Sequence, residues 1–213
     1  MNCRGIALVT GLLILAAISL IAITAAGSMT MQRKQAANYH DKALTLANAE
    51  LAESWAKAWL FSRADIERQP YCTRNCVLPI GIHSPGELPK ALENRARTWW
   101  SETAMPSGGD PASGSSAAHP DSKSFWVMEE VHFLEITENS ESPGPAGIGF
   151  YRIFSFGAGR HPRSAVVTES IVARPWQADV TPVDFPPSKP LNSFCSGIPR
   201  DIACGTVAWR QLK

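Results

Sequence analysis

The chain has 213 residues, 20 Lys and Arg against 19 Asp and Glu, 45% hydrophobic residues and 18% charged ones. A formal charge of +1 excludes a nucleic-acid binder driven by phosphate neutralisation, and equally an acidic solvating tail. The length suits one domain with an accessory segment, but the apolar residues are unevenly spread, because no charged side chain lies between Gly5 and Gln32.

The chain opens with Met1-Asn2-Cys3-Arg4-Gly5, a short polar leader with a single cation. Ile6 to Ala26 follows as an unbroken apolar run. About twenty residues at ~1.5 Å each cover a hydrocarbon core of ~30 Å, so residues 6–26 are expected to form a membrane-spanning helix. Arg4 precedes the run and Arg33 and Lys34 follow it, which gives the positive-inside rule little to orient. Three readings compete. A cleaved secretory signal has a shorter apolar core, although Thr24-Ala25-Ala26 is a possible cut. A plain signal anchor requires nothing special afterwards. In the third, the cut falls before the apolar helix, which then stays on the mature protein.

The following residues favour the third reading. Between Gln32 and Phe61 there is neither proline nor glycine, and Ala, Leu, Glu and Lys dominate, so the helix continues without a breaker. Leu44, Ala47, Leu51, Trp55 and Ala58 recur at three- and four-residue steps and predict one apolar stripe, leaving Lys42, Glu53, Lys57 and Arg63 to face water. The expectation is one helix of roughly 55 residues, about 80 Å long. Residues 6–32 suit lipid or a filament core, and residues 33–62 suit packing on a globular domain.

A tiny leader ending in Gly5, an uncharged helix from Ile6 and an amphipathic extension resemble the layout of type IV pilins and pseudopilins. More narrowly, Arg4-Gly5-Ile6-Ala7-Leu8-Val9, Met31-Gln32-Arg33, Ala36-Ala37-Asn38, Asp41-Lys42-Ala43-Leu44, Ala49-Glu50-Leu51-Ala52-Glu53 and Ala58-Trp59-Leu60 resemble the amino-terminal region of the PilX group of minor pilins. The resemblance covers the first 60 or so residues. It implies that a prepilin peptidase cuts between Gly5 and Ile6 and methylates Ile6. It also implies a pilin-like α+β fold, a long helix packed on an antiparallel sheet, and a structural role rather than an enzymatic one. The implied partners are other minor pilins, the major pilin and a tip adhesin of the PilY type. The implied location is the inner membrane, with the globular part in the periplasm, and then the pilus tip. One position departs from the general pattern. Most pilins carry glutamate at the fifth mature position, whose carboxylate can pair with a neighbour's amino terminus; here Thr10 stands there. A carboxylate in lipid is costly without a partner, so a subunit that need not dock under an existing one can omit it. PilX-like pilins and the K-type pseudopilin of type II secretion resemble this chain in lacking the acid.

Residues 63–213 read as the globular domain. Pro70 to Pro89 holds Cys72, Cys76 and turn formers, and Lys90 to Trp100 is expected as a short helix or helical turn. Met105 to Ser124, rich in Ser, Gly, Pro and Ala, reads as a mobile loop. Strands are expected at 125–136, 148–156 and 165–173, separated by Ser142-Pro143-Gly144-Pro145 and by Gly157-Ala158-Gly159, an antiparallel meander. The tail from Pro175 is rich in proline, with Gly205 to Arg210 as a last edge strand.

Loss of the leader removes Cys3 and leaves four cysteines, an even number that argues for disulfides in an exported domain. Three pairings are possible, and proximity favours Cys72 with Cys76 and Cys195 with Cys204, each stabilising by roughly 2–3 kcal/mol. A zinc site from Cys72, Cys76 and His83 is the rival, but no second compact ligand pair follows, and no metal or other cofactor is expected. His40, His83, His119, His132 and His161 are dispersed, and no serine sits in a nucleophile elbow. Gly144-Pro145-Ala146-Gly147 reads as a hairpin turn, and neither a Walker loop nor a dinucleotide fingerprint is present. Trp99 and Trp100 are adjacent and cannot both face one core, so one is expected either to be partly buried or to rim an interface. The rival functional readings are a membrane-anchored periplasmic binding or enzymatic domain using these tryptophans and the Ser/Gly loop, and a type II secretion pseudopilin.

Overall fold

The computed structural model describes residues 4–68, 78–111, 123–136, 147–177, 180–185 and 192–213. It resolves into two compact units, residues 1–42 and 43–213. Helix α1 is Arg4–Ser62, 59 residues without interruption, as the absence of proline and of glycine beyond Gly27 permits.

Among the described residues of the second unit the chain forms six strands: β1 (Ile82–His83), β2 (Met105–Pro106), β3 (Ser124–Glu135), β4 (Gly147–Ala158), β5 (Ala165–Trp176) and β6 (Gly205–Gln211). Two short helices, α2 (Arg97–Thr103) and α3 (Asn192–Cys195), complete the regular structure with 3-10 turns at 65–67 and 92–94. The sheet order is β1-β3-β4-β5-β6, with β2 also on β3. Strands β3 to β5 form the expected antiparallel meander, and β6 adds antiparallel to β5 as the expected edge strand. The sheet as a whole is mixed, because β1 pairs with β3 in parallel, Ile82 opposite Met128. The fold is α+β and pilin-like.

Several boundaries differ from the sequence expectation. Gly157 and Ala158 lie within β4, paired with Val166 and Ala165, so the turn begins only at Gly159. Strand β5 runs through Pro175 to Trp176. Proline fits there because β6 pairs only with residues 168–173, so the outer edge of β5 demands no donor at 175. The stretch read as a mobile loop starts and ends in strand: Met105–Pro106 pairs with Trp126 and Phe125, and Ser124 opens β3. Asp110 is tied down as well, its Oδ1 accepting from Trp59 Nε1 at 2.9 Å. Residues 112–122 lie outside the described residues.

The sheet has a core on each face. One face carries Trp126, Met128, Tyr151, Ile153, Val172 and Trp176, which pack against the second half of α1 and against Val183, Phe194 and Ile198 of the tail. The other carries Phe125, Val127, Phe156 and Val167 under Leu88, Leu92 and Trp100. Period-two alternation along β3 to β5 thus feeds two apolar layers, which is why both faces of β3 read as apolar.

The buried stripe of α1 is rotated from the predicted one. Thr45, Ala49, Ala52, Ala56, Trp59 and Leu60 are buried; of the predicted positions Ala58 is buried, Leu44 and Trp55 are half-buried, and Ala47 and Leu51 are exposed, Leu51 by 47%. The cause is Gly157. A Cβ there would lie 2.0 Å from the Thr45 carbonyl oxygen and 2.4 Å from the Ala49 nitrogen. Helix and strand backbones meet at this point, which only small residues permit on both sides, and Asn48 Nδ2 donates to the Ala158 carbonyl alongside at 2.7 Å. Gly157→Val is expected to destabilise the protein by about 1–3 kcal/mol through overpacking, read as a lower urea midpoint; an unchanged midpoint would refute the close contact.

Candidate functional site

In the first unit, Gly5 and Ile6 fall within the first turn of α1. From Leu8 to Met31 every described side chain is exposed, including Thr10. The helix contains an 18-residue window of mean hydropathy 2.5, with none of it buried, and is long and apolar enough to cross a membrane. Its polar groups are satisfied within the helix. Ser19 donates to the Leu15 carbonyl (2.7 Å), Thr24 to Ile21 (2.9 Å), Ser28 to Ala25 (2.8 Å) and Thr30 to Gly27 (2.8 Å). A hydroxyl turned back on its own helix needs no water, as a lipid or close-packed helical environment requires.

In the second unit, α1 is fixed by polar contacts as well as by packing. Glu53, expected in water, is buried and accepts from Trp209 Nε1 of β6 at 3.0 Å while pairing with Lys57 at 2.5 Å. Lys57 sits one turn on, at the i,i+4 spacing that brings its ammonium against the carboxylate. The last turn of α1 holds no basic residue. The cation is instead supplied from β5. Arg174, fully buried, donates from Nη2 to the Arg63 carbonyl and lies 3.5 Å from Asp65. Its guanidinium stacks 3.4 Å from the Trp176 ring centroid. A positive charge against carbonyls at a helix C-terminus is favourable, but burial lowers the Arg174 pKa to about 10, opposed by Tyr151, Asp65 and Glu67. The Phe61 carbonyl accepts from the Val183 N–H at 3.1 Å, which ties the tail to the same end.

Beside it lies a second buried ionic group. Arg68 grips Glu130 with two hydrogen bonds, Nε at 2.9 Å and Nη2 at 2.8 Å. Tyr151 donates to Glu130 at 3.1 Å and accepts from Trp176 Nε1 at 2.8 Å. Burial acts to lower the Arg68 guanidinium, but the Glu130 carboxylate more than offsets it and the pKa is raised. Burial, and then Glu130, push the Tyr151 phenol well above its usual range.

Of the remaining sequence candidates, Cys195 and Cys204 are bonded, with an S–S distance of 2.00 Å. Cys72, Cys76 and His119 lie outside the described residues. His40, His132 and His161 are exposed and far apart in the chain. His83 Nδ1 is 3.4 Å from Glu87, whose pKa is lowered chiefly by the Ser84 N–H it accepts. Among the described residues no three His, Cys, Asp or Glu side chains are grouped to hold a metal. Trp100 is fully buried on Phe156, ring centroids 5.2 Å apart, and Trp99 packs edge-on against it, half-buried. The chemistry on view is therefore that of holding a helix, with an exposed apolar stretch before it.

Residues 4–52 match the family model described as PilX N-terminal. This segment is similar to that family, over less than a quarter of the chain. The match covers the membrane-length stretch and the first part of the buried stripe, Thr45 to Ala52, but not the sheet. Neither a curated protein nor a solved structure matches the chain. The PilX-type segment is thus joined to a sheet whose own features, the Gly157 contact and the Arg68 and Arg174 clusters, the sequence did not advertise. Gly157 read as a turn residue. Its placement in β4 followed from pairing with β5, and only the phenylalanine before it, continuing the strand alternation, signals this.

The Tyr151 shift has a testable sign. Above about pH 10 the unfolded chain releases the phenol proton that the folded chain retains, so the folded state binds more protons and stability falls as pH rises. Tyr151→Phe lacks this term. It is expected to be less stable than wild type by about 1 kcal/mol at neutral pH, from lost hydrogen bonds, with the gap closing above about pH 10. Urea midpoints across that range check it, and a gap that stays constant would count against the buried phenol.

Proposed function

We propose that the chain is a minor subunit of a type IV pilus that helps initiate assembly near the filament tip. The observation that carries the reading is the PilX-type match over residues 4–52, on a helix whose apolar side chains are exposed from Leu8 onward. Before assembly residues 6–26 hold the subunit in the inner membrane, with residues 63–213 on the periplasmic side. On assembly the helix moves from lipid into a bundle, where Gly11, Ala16, Ala17 and Ala22 allow close approach. Prepilin peptidase cuts between Gly5 and Ile6 and methylates Ile6. The protein then works with other minor pilins, the major pilin and a PilY-type adhesin, as a structural component without catalysis.

Thr10 supports the tip position. A carboxylate at this place gains from a neighbour's terminal amine only when the subunit enters beneath one already in place, and is a liability in lipid otherwise. The absence of the acid fits a subunit that enters first.

Two measurements test the reading. Mass spectrometry of the mature protein should find an amino terminus at methylated Ile6; an intact start, or a start after Ala26, would instead indicate an ordinary anchor or secretory signal. Thr10→Glu should reduce the number of pili by several-fold at unchanged protein level, counted by electron microscopy. Normal pilus numbers in that variant would remove the argument for the tip.

A further inference from the structure

Two grooves open on the sheet face opposite α1. The one under Pro85–Leu92 is internally balanced: Arg152 pairs with Glu129 at 3.1 Å and Glu169 at 3.3 Å, and Arg210 pairs with Glu169 at 2.5 Å. The other, of about 440 Å³, lies between the 93–97 segment and the β4–β5 turn. It is rimmed by Arg95, Arg97, Arg163 and Lys213, all exposed, against one carboxylate side chain, Glu93. Its floor is apolar, formed by Phe156, Ala158 and Val167. Guanidinium forks around an apolar floor select a carboxylate-bearing segment with an apolar side chain beside the charge.

This chain contains such a segment. Residues 135–141 read Glu-Ile-Thr-Glu-Asn-Ser-Glu, three carboxylates and one isoleucine, and no Lys or Arg occurs from Glu135 until Arg152. The segment cannot serve the groove of its own chain. Glu135 pairs with Gly147 at one end of β4, whereas the groove lies at the other, beside Ala158 and its partner Ala165. Eleven residues of strand separate those ends by about 37 Å. The six residue steps from Glu135 to Glu141 span at most about 21 Å even when fully extended.

We propose that this basic groove receives the acidic segment 135–141 of a second copy of the chain, a head-to-tail contact between globular domains. It is independent of the reading of α1, since no residue before Ala43 takes part. Because donor and acceptor surfaces differ, the contact is heterologous, and one copy leaves a free groove at one end and a free acidic segment at the other.

The test uses full-length protein in detergent micelles and a fluorescent peptide of residues 135–141, with binding read by anisotropy. Wild type should bind the peptide with an affinity that falls as salt rises. Arg95→Glu with Arg163→Glu should weaken binding about tenfold or more, and so should a peptide with all three glutamates changed to glutamine. A peptide carrying Glu138→Arg and Glu141→Arg should regain affinity for the double variant, which also shows that the variant is folded. In sedimentation velocity, Glu138→Gln with Glu141→Gln should reduce self-association of the full chain as far as the arginine changes do. Equal binding of the glutamine peptide, or no effect of the arginine changes, overturns the proposal. Saturation by inorganic phosphate without peptide binding overturns it too, and marks a small-anion site instead.

Discussion

Everything in the globular unit is arranged around the point where the backbone of β4 touches the backbone of α1. At Gly157 the distance to the Thr45 carbonyl and the Ala49 nitrogen leaves no room for a Cβ. That contact decides which face of α1 turns inward. Large side chains are forced off the inward face near residue 45, so alanine and threonine occupy it there, and bulk returns further along, at Glu53, Trp55, Trp59 and Leu60, with Trp59 against Trp126. Dispersion and shape, more than the area of any one side chain, hold this part of the helix. The cost is sensitivity, because a close-packed seam between backbones cannot absorb an added methyl group.

A second consequence concerns charge. Packing α1 across the sheet buries its C-terminal carbonyls, and buried carbonyls need donors. Arg174 and the Val183 N–H supply them. Arg174 is poorly satisfied in return, since among the described residues its Nε and Nη1 have no acceptor, and its lowered pKa records the same desolvation. Arg68, by contrast, has a bidentate carboxylate. Buried ion pairs of this kind seldom add net stability over apolar replacements, but removal of one partner is severe. Their effect here is to fix register: Glu130 faces Tyr151 directly across β3 and β4, and Tyr151 reaches Trp176 on β5. A slip of one residue would turn Glu130 to the opposite face and strand Arg68.

How much of this was legible follows from which signals are local. The long helix, the three central strands and the edge strand β6 were, because each depends on periodicity or on missing breakers. The Cys195 and Cys204 proximity was legible too. What was not visible was long-range. The stripe of α1 was placed on Leu44, Ala47, Leu51, Trp55 and Ala58 because periodicity alone cannot say which of two neighbouring faces the sheet will take, and the sheet took the one with alanine at 49, 52 and 56. Gly157 was assigned to a turn because glycine is a turn former in isolation, and nothing local says that a helix will press on it from more than a hundred positions away. Glu53 was assigned to solvent because its partner, Trp209, lies in the last strand. The PilX-type match stops at residue 52, so it too gives no information about the strands that select the inward face.

The two ends of α1 therefore face different demands. From Leu8 to Met31 the helix offers no charge, and at Ser19, Thr24, Ser28 and Thr30 its hydroxyls are engaged with its own carbonyls. Such a surface can associate with other apolar helices through shape and small residues, but it has few features with which to discriminate among them. Discrimination requires uneven charge, and this lies on the sheet and its loops: the groove rimmed by Arg95, Arg97 and Arg163, and the acidic residues that follow β3. In a helix-driven assembly, then, the helix contributes most of the apolar burial while the globular face determines which subunit stands beside which.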